Sequence, residues 1–161
     1  MLVTAVTFPS VILALHIVFV VTAFGVLISY PLVAAGVERI DRRTAAPLHK
    51  VRIIIGRTLV NPGLLLVAAA GVYLSAEWHQ WHQFYVQWGI AAVIVLGGLE
   101  GAVVLRQSKR LAELAERDVK AAGHGEVNWS AEYLKARGRA DQINALMALI
   151  VLVTVFLMVV Q

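Results

Sequence analysis

The chain has 161 residues, of which 60% are apolar and only 15% are charged, and its mean hydropathy is +0.77. Soluble domains average about 45–50% apolar and about 25% charged residues, so this composition indicates a membrane protein. Because the chain has no cysteine, disulfides, thiolate metal sites and iron–sulfur clusters are excluded. The net charge of +4 would suit nucleic acid binding, but in a membrane chain the positions of the charges matter more than their sum.

Four apolar stretches follow one another along the chain. Each approaches or exceeds the roughly 20 helical residues that cross a bilayer core, and continuous apolarity over that length is typical of helices. We expect an all-α fold, a polytopic membrane four-helix bundle in which residues 1–161 form a single transmembrane domain. The first stretch lacks a basic leading segment and is long for a signal peptide, so we expect it to stay as an anchor. The expected spans are approximately 8–37, 51–74, 84–105 and 143–160, with a helical connector over 106–142.

Lysine and arginine are confined to two parts of the chain. They lie between Arg39 and Arg57 and between Arg106 and Arg139. Basic residues accumulate on the cytoplasmic side of membrane proteins. We therefore expect a multi-pass protein of the plasma or inner membrane with both termini outside (N-out, C-out) and with loops 38–50 and 106–142 in the cytoplasm. Because topology accounts for the basic residues, we expect no nucleic acid partner.

The connector 106–142 is the largest polar segment. Glu113–Arg117 and Glu116–Lys120 are i,i+4 pairs in the favoured order, so we expect the third span to continue as a helix that ends at the glycines of Gly123–Gly125. Ser130 is a suitable N-cap for the helix leading into the fourth span. The segment is interpreted either as a solvated connector or as a docking site for a partner or anionic lipid.

Ionisable residues inside a span are costly and need partners, so each of them is a functional candidate. Arg57 and Glu100 both lie roughly 8–10 Å from the cytoplasmic ends of their spans at 1.5 Å per residue. Spans joined by a short loop are antiparallel neighbours, so we expect an Arg57–Glu100 ion pair. It is interpreted either as a packing lock or as a proton, ion or substrate site. The polar residues expected in the same layer are Tyr30, Asn61, which precedes the helix-bending Pro62, and Asn144.

A second candidate site lies near the outer surface. His16 is about 10 Å inside the membrane and Tyr30 about 21 Å deeper, so His16 must face the outer ends of the spans and the loop "SAEWHQWHQFYVQW". Imidazole and carboxylate ligands without thiolate suit copper, zinc or haem iron. An aromatic belt at the membrane boundary explains the same loop without any metal. The candidate metal ligands are His16, Glu77, His79 and His82, and the belt residues are Trp78, Trp81, Tyr85 and Trp88.

The first span, "LHIVFVVTAFGVLISYPLV" (15–33), resembles the first helix of the HemJ-type protoporphyrinogen oxidases and of the wider CopD-like membrane families. The whole chain is also similar in layout to a family of predicted four-span integral membrane proteins of unassigned function. The segments compared there are "GRTLVNPGLLLVAAAGVYL" and "LRQSKRLAEL". The resemblance implies haem b binding at His16, the one residue that matches that role, or copper handling, for which His16, Glu77, His79 and His82 are the available ligands. The position of the loop adds His79 or His82 as a second cofactor ligand. The later-helix Lys expected in HemJ-type proteins is absent from the third and fourth spans, where Glu100 is the ionisable residue.

Three functional hypotheses follow, and no enzyme class is indicated because the chain has no Walker loop, dinucleotide fingerprint or nucleophile elbow. The first is a haem- or metal-associated membrane protein of CopD/HemJ-like type. The second is a small ion or proton channel or transporter that uses the Arg57–Glu100 site. It requires a homo-oligomer, for which Gly97 and Gly101 have the spacing of a close helix contact. The third is a structural or accessory subunit that docks through the connector.

Overall fold

The computed structural model describes residues 6–160, and all regular structure in this part of the chain is helical. A short 3₁₀ turn at Arg42–Thr44 links the first two helices. Two π turns, Gly56–Val60 and Leu99–Val104, join the second helix to the third and the fourth to the fifth without a break. The α-helices are α1 (Phe8–Ile40), α2 (Ala45–Ile55), α3 (Asn61–Glu77), α4 (Phe84–Gly98), α5 (Leu105–Ala122) and α6 (Ala131–Val160).

Four continuous helical rods are long and apolar enough to cross a membrane. They are Phe8–Ile40, Arg42–Glu77, Phe84–Ala122 and Ala131–Val160. The prediction of an all-α, four-span membrane protein is therefore confirmed. The second, third and fourth rods extend well beyond the apolar stretches, so residues assigned to loops from the sequence lie on helices that reach past the apolar part of the bundle.

The rods pack as an antiparallel bundle in which α3 contacts α1 and α4, and α6 contacts α4 and α1. The core consists of small and aliphatic side chains that are hidden from the surroundings, and large apolar side chains such as Leu65 and Ile94 point outward, as a lipid-facing surface requires. The central core residues are Ala23, Phe24, Leu27, Val60, Leu64, Val67, Val93, Leu96, Met147 and Val151.

The two ends of the bundle differ in chemistry. We call the end that carries the 3₁₀ turn, α2, α5 and the start of α6 the basic end. We call the end that carries the α3–α4 turn, where Trp78 and Trp81 lie, the aromatic end. At the basic end α5 packs its apolar face on α2, and Tyr133 is fully buried between them and stacks on Trp129, with ring centroids 4.2 Å apart. The connector is thus a packed part of the fold rather than a loose loop.

Several predicted details of the connector are confirmed. α5 ends at Gly123, which has a φ of +55°, and the Ser130 hydroxyl accepts a hydrogen bond from the Tyr133 amide as the N-cap of α6. The predicted Glu113–Arg117 pair is wrong: Arg117 donates instead to Glu132 and to Ser130. These bonds connect α5 to the start of α6. The i,i+4 rule considers pairs within one helix only, so it could not predict them.

Candidate functional site: a polar cavity at the basic end

Glu100 forms its ion pair with Arg52, and the predicted pairing with Arg57 is wrong. The Arg52 guanidinium donates from Nη1 to Oε1 at 2.6 Å and from Nη2 to Oε2 at 2.5 Å. Both residues are buried, with 3% of Arg52 and none of Glu100 exposed. Arg57 is exposed. Five helical residues rotate a side chain by about 140°, so Arg57 points away from the face that carries Arg52.

The two π turns bring the backbones of the second and third rods together at this pair. Glu100 lies inside the Leu99–Val104 turn, and Gly56 begins the Gly56–Val60 turn. A methyl group on Gly56 would lie 2.7 Å from Glu100 Oε1 and 3.1 Å from Arg52 Nη1. Glycine is therefore required here by close approach, and the ion pair occupies the space that a side chain would take.

The first π turn has a cause in the sequence. Pro62 cannot donate a backbone hydrogen bond and its ring conflicts with the carbonyl four residues back. The chain relieves this by widening the preceding turn, in which the Asn61 amide donates to the Gly56 carbonyl five residues earlier. Such wide turns are frequent at functional sites. The predicted helix distortion at Pro62 is thus present and takes the form of a π turn.

The three polar residues expected in this layer separate into two groups. Tyr30 and Asn144 line a cavity at the basic end together with Arg52. The Arg52 guanidinium lies over the Tyr30 ring, 5.2 Å from its centroid, and the Tyr30 hydroxyl donates to the Leu48 carbonyl at 2.6 Å. Asn61 does not line this cavity. Its amide nitrogen lies 4.0 Å from the position that a methyl on Gly101 would take.

A second buried acid at the basic end was missed by the sequence analysis. Glu38 is 6% exposed and accepts hydrogen bonds from Arg137 and, at 3.1 Å, from the Tyr133 hydroxyl. His49 Nε2 lies 3.8 Å from the same carboxylate and 3.3 Å from the Tyr133 hydroxyl. Glu38 is the one acidic residue between Phe8 and Ile40. A lone acidic residue in a long apolar segment is the feature of the sequence that could have identified it as a candidate.

These groups surround a cavity of about 180 Å³ between α1, α2, α5 and α6. Two guanidinium groups, on Arg52 and Arg137, face the carboxylates of Glu38 and Glu100 and a third on Asp141, which lies 4.0 Å from Arg137 Nε. The charges are therefore nearly balanced, with one carboxylate in excess. The polar side chains that line the cavity are Tyr30, Glu38, His49, Arg52, Gln107, Ser108, Arg137, Asp141 and Asn144.

The predicted outer site has a different character. His16 packs against α3, where a methyl on Gly71 would lie 3.3 Å from its Cε1. Its Nδ1 is buried and has no hydrogen-bond partner within residues 6–160. The ring lines a mainly apolar cavity of about 600 Å³ that also includes Trp78 and Tyr85 from the aromatic end. His16 therefore lies beside the α3–α4 turn, as expected, and away from the basic-end cavity.

The predicted metal ligands do not assemble into a ligand set. In the described part of the chain no three His, Asp or Glu side chains come together as a group that could hold a metal ion. Glu77, His79 and His82 are all exposed at the α3–α4 turn, where His79 takes a φ of +55°. The neighbouring Trp88 donates from Nε1 to Thr154 at 3.0 Å. The geometry of this turn fits the aromatic belt.

The glycines predicted to mediate association differ in their surroundings. A methyl on Gly97 would meet nothing within 4 Å, whereas Gly101 lies beside Asn61 of the same chain. Both glycines have room for a neighbouring helix, and Gly101 is exposed.

The basic-end cavity is lined by the buried Glu38 carboxylate, the His49 imidazole and the Tyr30 phenol. Behind this wall the Tyr133 phenol binds Glu38 and the Glu100 carboxylate binds Arg52. Carboxylate, imidazole and phenol groups are suited to binding and exchanging protons. Each carboxylate is held by a guanidinium, so its charge is compensated without a metal ion. Comparisons of the chain with protein-family models, with curated proteins and with solved structures gave no match.

Proposed function

We propose that this chain is a small membrane transport protein whose basic-end cavity binds a proton, with Glu38 as the proton-accepting group. The observation that carries the proposal is the position of Glu38, which lines the cavity and is held by Arg137, Tyr133 and His49. Glu100 has no exposed surface and is fixed by both nitrogens of Arg52. We therefore assign the Arg52–Glu100 pair to positioning the cavity wall rather than to exchange.

The size and charge of the cavity favour a proton over larger ions. A volume of about 180 Å³ holds roughly six water molecules at about 30 Å³ each. An incoming metal cation or anion would have to displace a bound guanidinium or carboxylate. A proton neutralises Glu38 without occupying volume, and it releases Arg137 from its partner.

The apolar core favours a carrier over an open pore. Between the basic-end cavity and His16 the interior is filled by side chains such as Phe24, Leu64, Leu96 and Met147. These leave no room for a continuous water path within one bundle. The cavity must then change its exposure by a conformational step, and separation of Glu38 on α1 from Arg137 on α6 is the step that protonation favours.

The proposal includes an orientation. With basic residues on the inner side, the cavity faces the cytoplasm, both termini and the aromatic end face outward, and the membrane is the plasma or inner membrane. It also retains the expectation of a homo-oligomer, in which the open Gly97 face is available to a second copy.

Proton flux into liposomes tests this function. Purified protein is reconstituted with a trapped pH-sensitive dye, and a membrane potential is imposed. We expect flux in the wild type, its loss in Glu38→Gln, and no change in Glu113→Gln, because Glu113 is an exposed acid on α5 without an ion-pair partner in the described structure. Absence of flux from the wild type, or equal flux in Glu38→Gln, would contradict the proposal.

A second candidate function is haem binding at His16, for which the unpartnered Nδ1 and the adjoining cavity of about 600 Å³ are the supporting observations. His16 would hold the iron from α1, and the apolar wall would exclude water from it. The resemblance of the first span to HemJ-type and CopD-like proteins points the same way. A Soret band in purified protein that disappears in His16→Ala and persists in His124→Ala would support it. A colourless preparation after growth with added haem would oppose it.

A further inference from the structure

A second pocket opens at the basic end, next to the polar cavity. It lies between α5 and α6 and has a volume of about 290 Å³. Its lining residues are Gln107, Arg110, Glu132, Lys135, Ala136 and Arg139. Gln107 also lines the polar cavity, so this one side chain belongs to the walls of both spaces. The proposed proton site does not use the cationic residues of the second pocket.

The pocket carries positive charge that the protein does not neutralise. Its single carboxylate, on Glu132, is already engaged by Arg110 and by Arg117, each at 3.1 Å. Lys135 and Arg139 are exposed and have no ion-pair or hydrogen-bond partner within residues 6–160. By contrast, Lys50 and Lys120 both contact Glu116. Lys109 also has no ion-pair partner within residues 6–160, but it does not line this pocket. A ligand for this pocket must therefore be an anion.

The position of the pocket along the helices, relative to the apolar part of the bundle, indicates which kind of anion can reach it. Arg110 follows the last apolar residue of the third span, Leu105, by five positions, or about 7.5 Å along the helix. Arg139 precedes Ile143, where the apolar part of α6 begins, by about 6 Å. The headgroup layer on each side of a bilayer core is roughly 5–8 Å thick. Arg110 and Arg139 thus lie at the depth of lipid phosphates rather than in bulk water, and Lys135, about 12 Å before Ile143, lies one turn of α6 beyond that layer.

We infer that this pocket binds the phosphate of an anionic phospholipid. Lys135 and Arg139 on α6 and Arg110 on α5 surround the headgroup, and the acyl chains lie along the apolar surfaces of the third and fourth rods. Basic pockets between helices at a membrane surface are suited to such headgroups. The inference does not depend on proton transport, since it rests on charge and depth alone.

Native mass spectrometry of the full-length protein in detergent tests the inference, with phosphatidylglycerol and phosphatidylcholine offered at equal concentration. We expect phosphatidylglycerol to be retained selectively. The double variant Lys135→Gln/Arg139→Gln should bind it about 30-fold more weakly, since each cation near a headgroup contributes roughly a factor of five. The matched control Lys50→Gln/Lys120→Gln removes the same charge outside the pocket and should retain the lipid like the wild type.

Three outcomes would overturn the inference. These are equal retention of the two lipids, equal loss in the test and control variants, and displacement of phosphatidylglycerol by inorganic phosphate, which would indicate a site for soluble anions. Both substituted residues of the test variant are exposed, and helical content by circular dichroism confirms that the variant folds.

Discussion

Arg52 on α2 and Glu100 in the Leu99–Val104 turn form a two-point ion pair that joins the second and third rods in the interior of the bundle. Removing one partner of a buried pair leaves an uncompensated charge and costs about 3–5 kcal/mol. We expect Arg52→Gln and Glu100→Gln each to lower the free energy of unfolding by this amount, measured by denaturation in detergent. Arg57→Gln, the exposed neighbour, should leave stability nearly unchanged, and equal destabilisation by both arginine variants would contradict the assignment.

The double replacement Arg52→Leu/Glu100→Leu separates a structural role from a charge requirement. Apolar residues in place of a buried ion pair are often neutral or stabilising. If the pair only positions the cavity wall, the double variant should unfold at nearly the wild-type temperature and keep part of its proton flux. A stable double variant without any flux would instead place the pair in the transport step.

Gly56→Ala should destabilise the protein although alanine favours helices. The added methyl would lie 2.7 Å from Glu100 Oε1 and 2.7 Å from Leu105 Cδ2, and such overpacking costs about 1–3 kcal/mol. Gly36→Ala on α1 is the control, because a methyl there meets nothing within 4 Å and should stabilise by up to about 1 kcal/mol. The two changes in unfolding temperature are therefore expected to have opposite signs.

Tyr133→Phe tests the hydrogen bonds around Glu38 without disturbing the packing of the aromatic ring. The variant keeps the stacking on Trp129 and loses the hydroxyl that donates to Glu38, for which we expect a loss of about 1–2 kcal/mol. Tyr73→Phe is the matched control, since Tyr73 contacts Phe8 through its ring and its hydroxyl makes no hydrogen bond in the described structure. If both substitutions have the same effect on unfolding, the Glu38 network does not contribute to stability.

The orientation can be tested with single cysteines, because the chain has none of its own. We expect Trp81→Cys to react with an impermeant maleimide from outside intact cells, and Arg110→Cys to react only after permeabilisation. Both side chains are exposed, so a lack of reaction reflects sidedness rather than burial. Labelling of both from the same side would refute the four-span orientation and the position of the cavity.

The fold could be predicted from the sequence because the length of an apolar run is a one-dimensional property. The ion-pair partner of Glu100 could not be predicted, because it depends on which face of the second rod each arginine occupies. Arg57 lies inside the apolar run and Arg52 at its edge, yet Arg52 is on the face that meets Glu100. The two π turns also change the direction in which the side chains of the second and third rods point. Only the π turn before Pro62 has a signal in the sequence.

The second half of the site was missed for a related reason. Glu38, His49 and Arg137 lie outside the apolar stretches, where polar residues are expected to be solvated. In the structure the rods continue past those stretches and α5 covers them, so that Glu38 and His49 are buried. Whether polar residues near the ends of the spans are buried therefore depends on how the connector packs against them. The hydropathy of the sequence does not contain that information.

The π turns give the two central rods a place where chain length can change. Each wide turn contains one residue more than a regular α-helix needs, so deleting one residue there would leave an ordinary turn and nearly preserve the phase of the residues that follow. Deleting a residue in the regular part of a rod would instead rotate everything that follows by about 100°. For the rod Phe84–Ala122, a deletion within α4 would turn the apolar face of α5 away from α2. Deletion of Ala102, inside the second π turn, should consequently be far less damaging than deletion of Ala91 in α4.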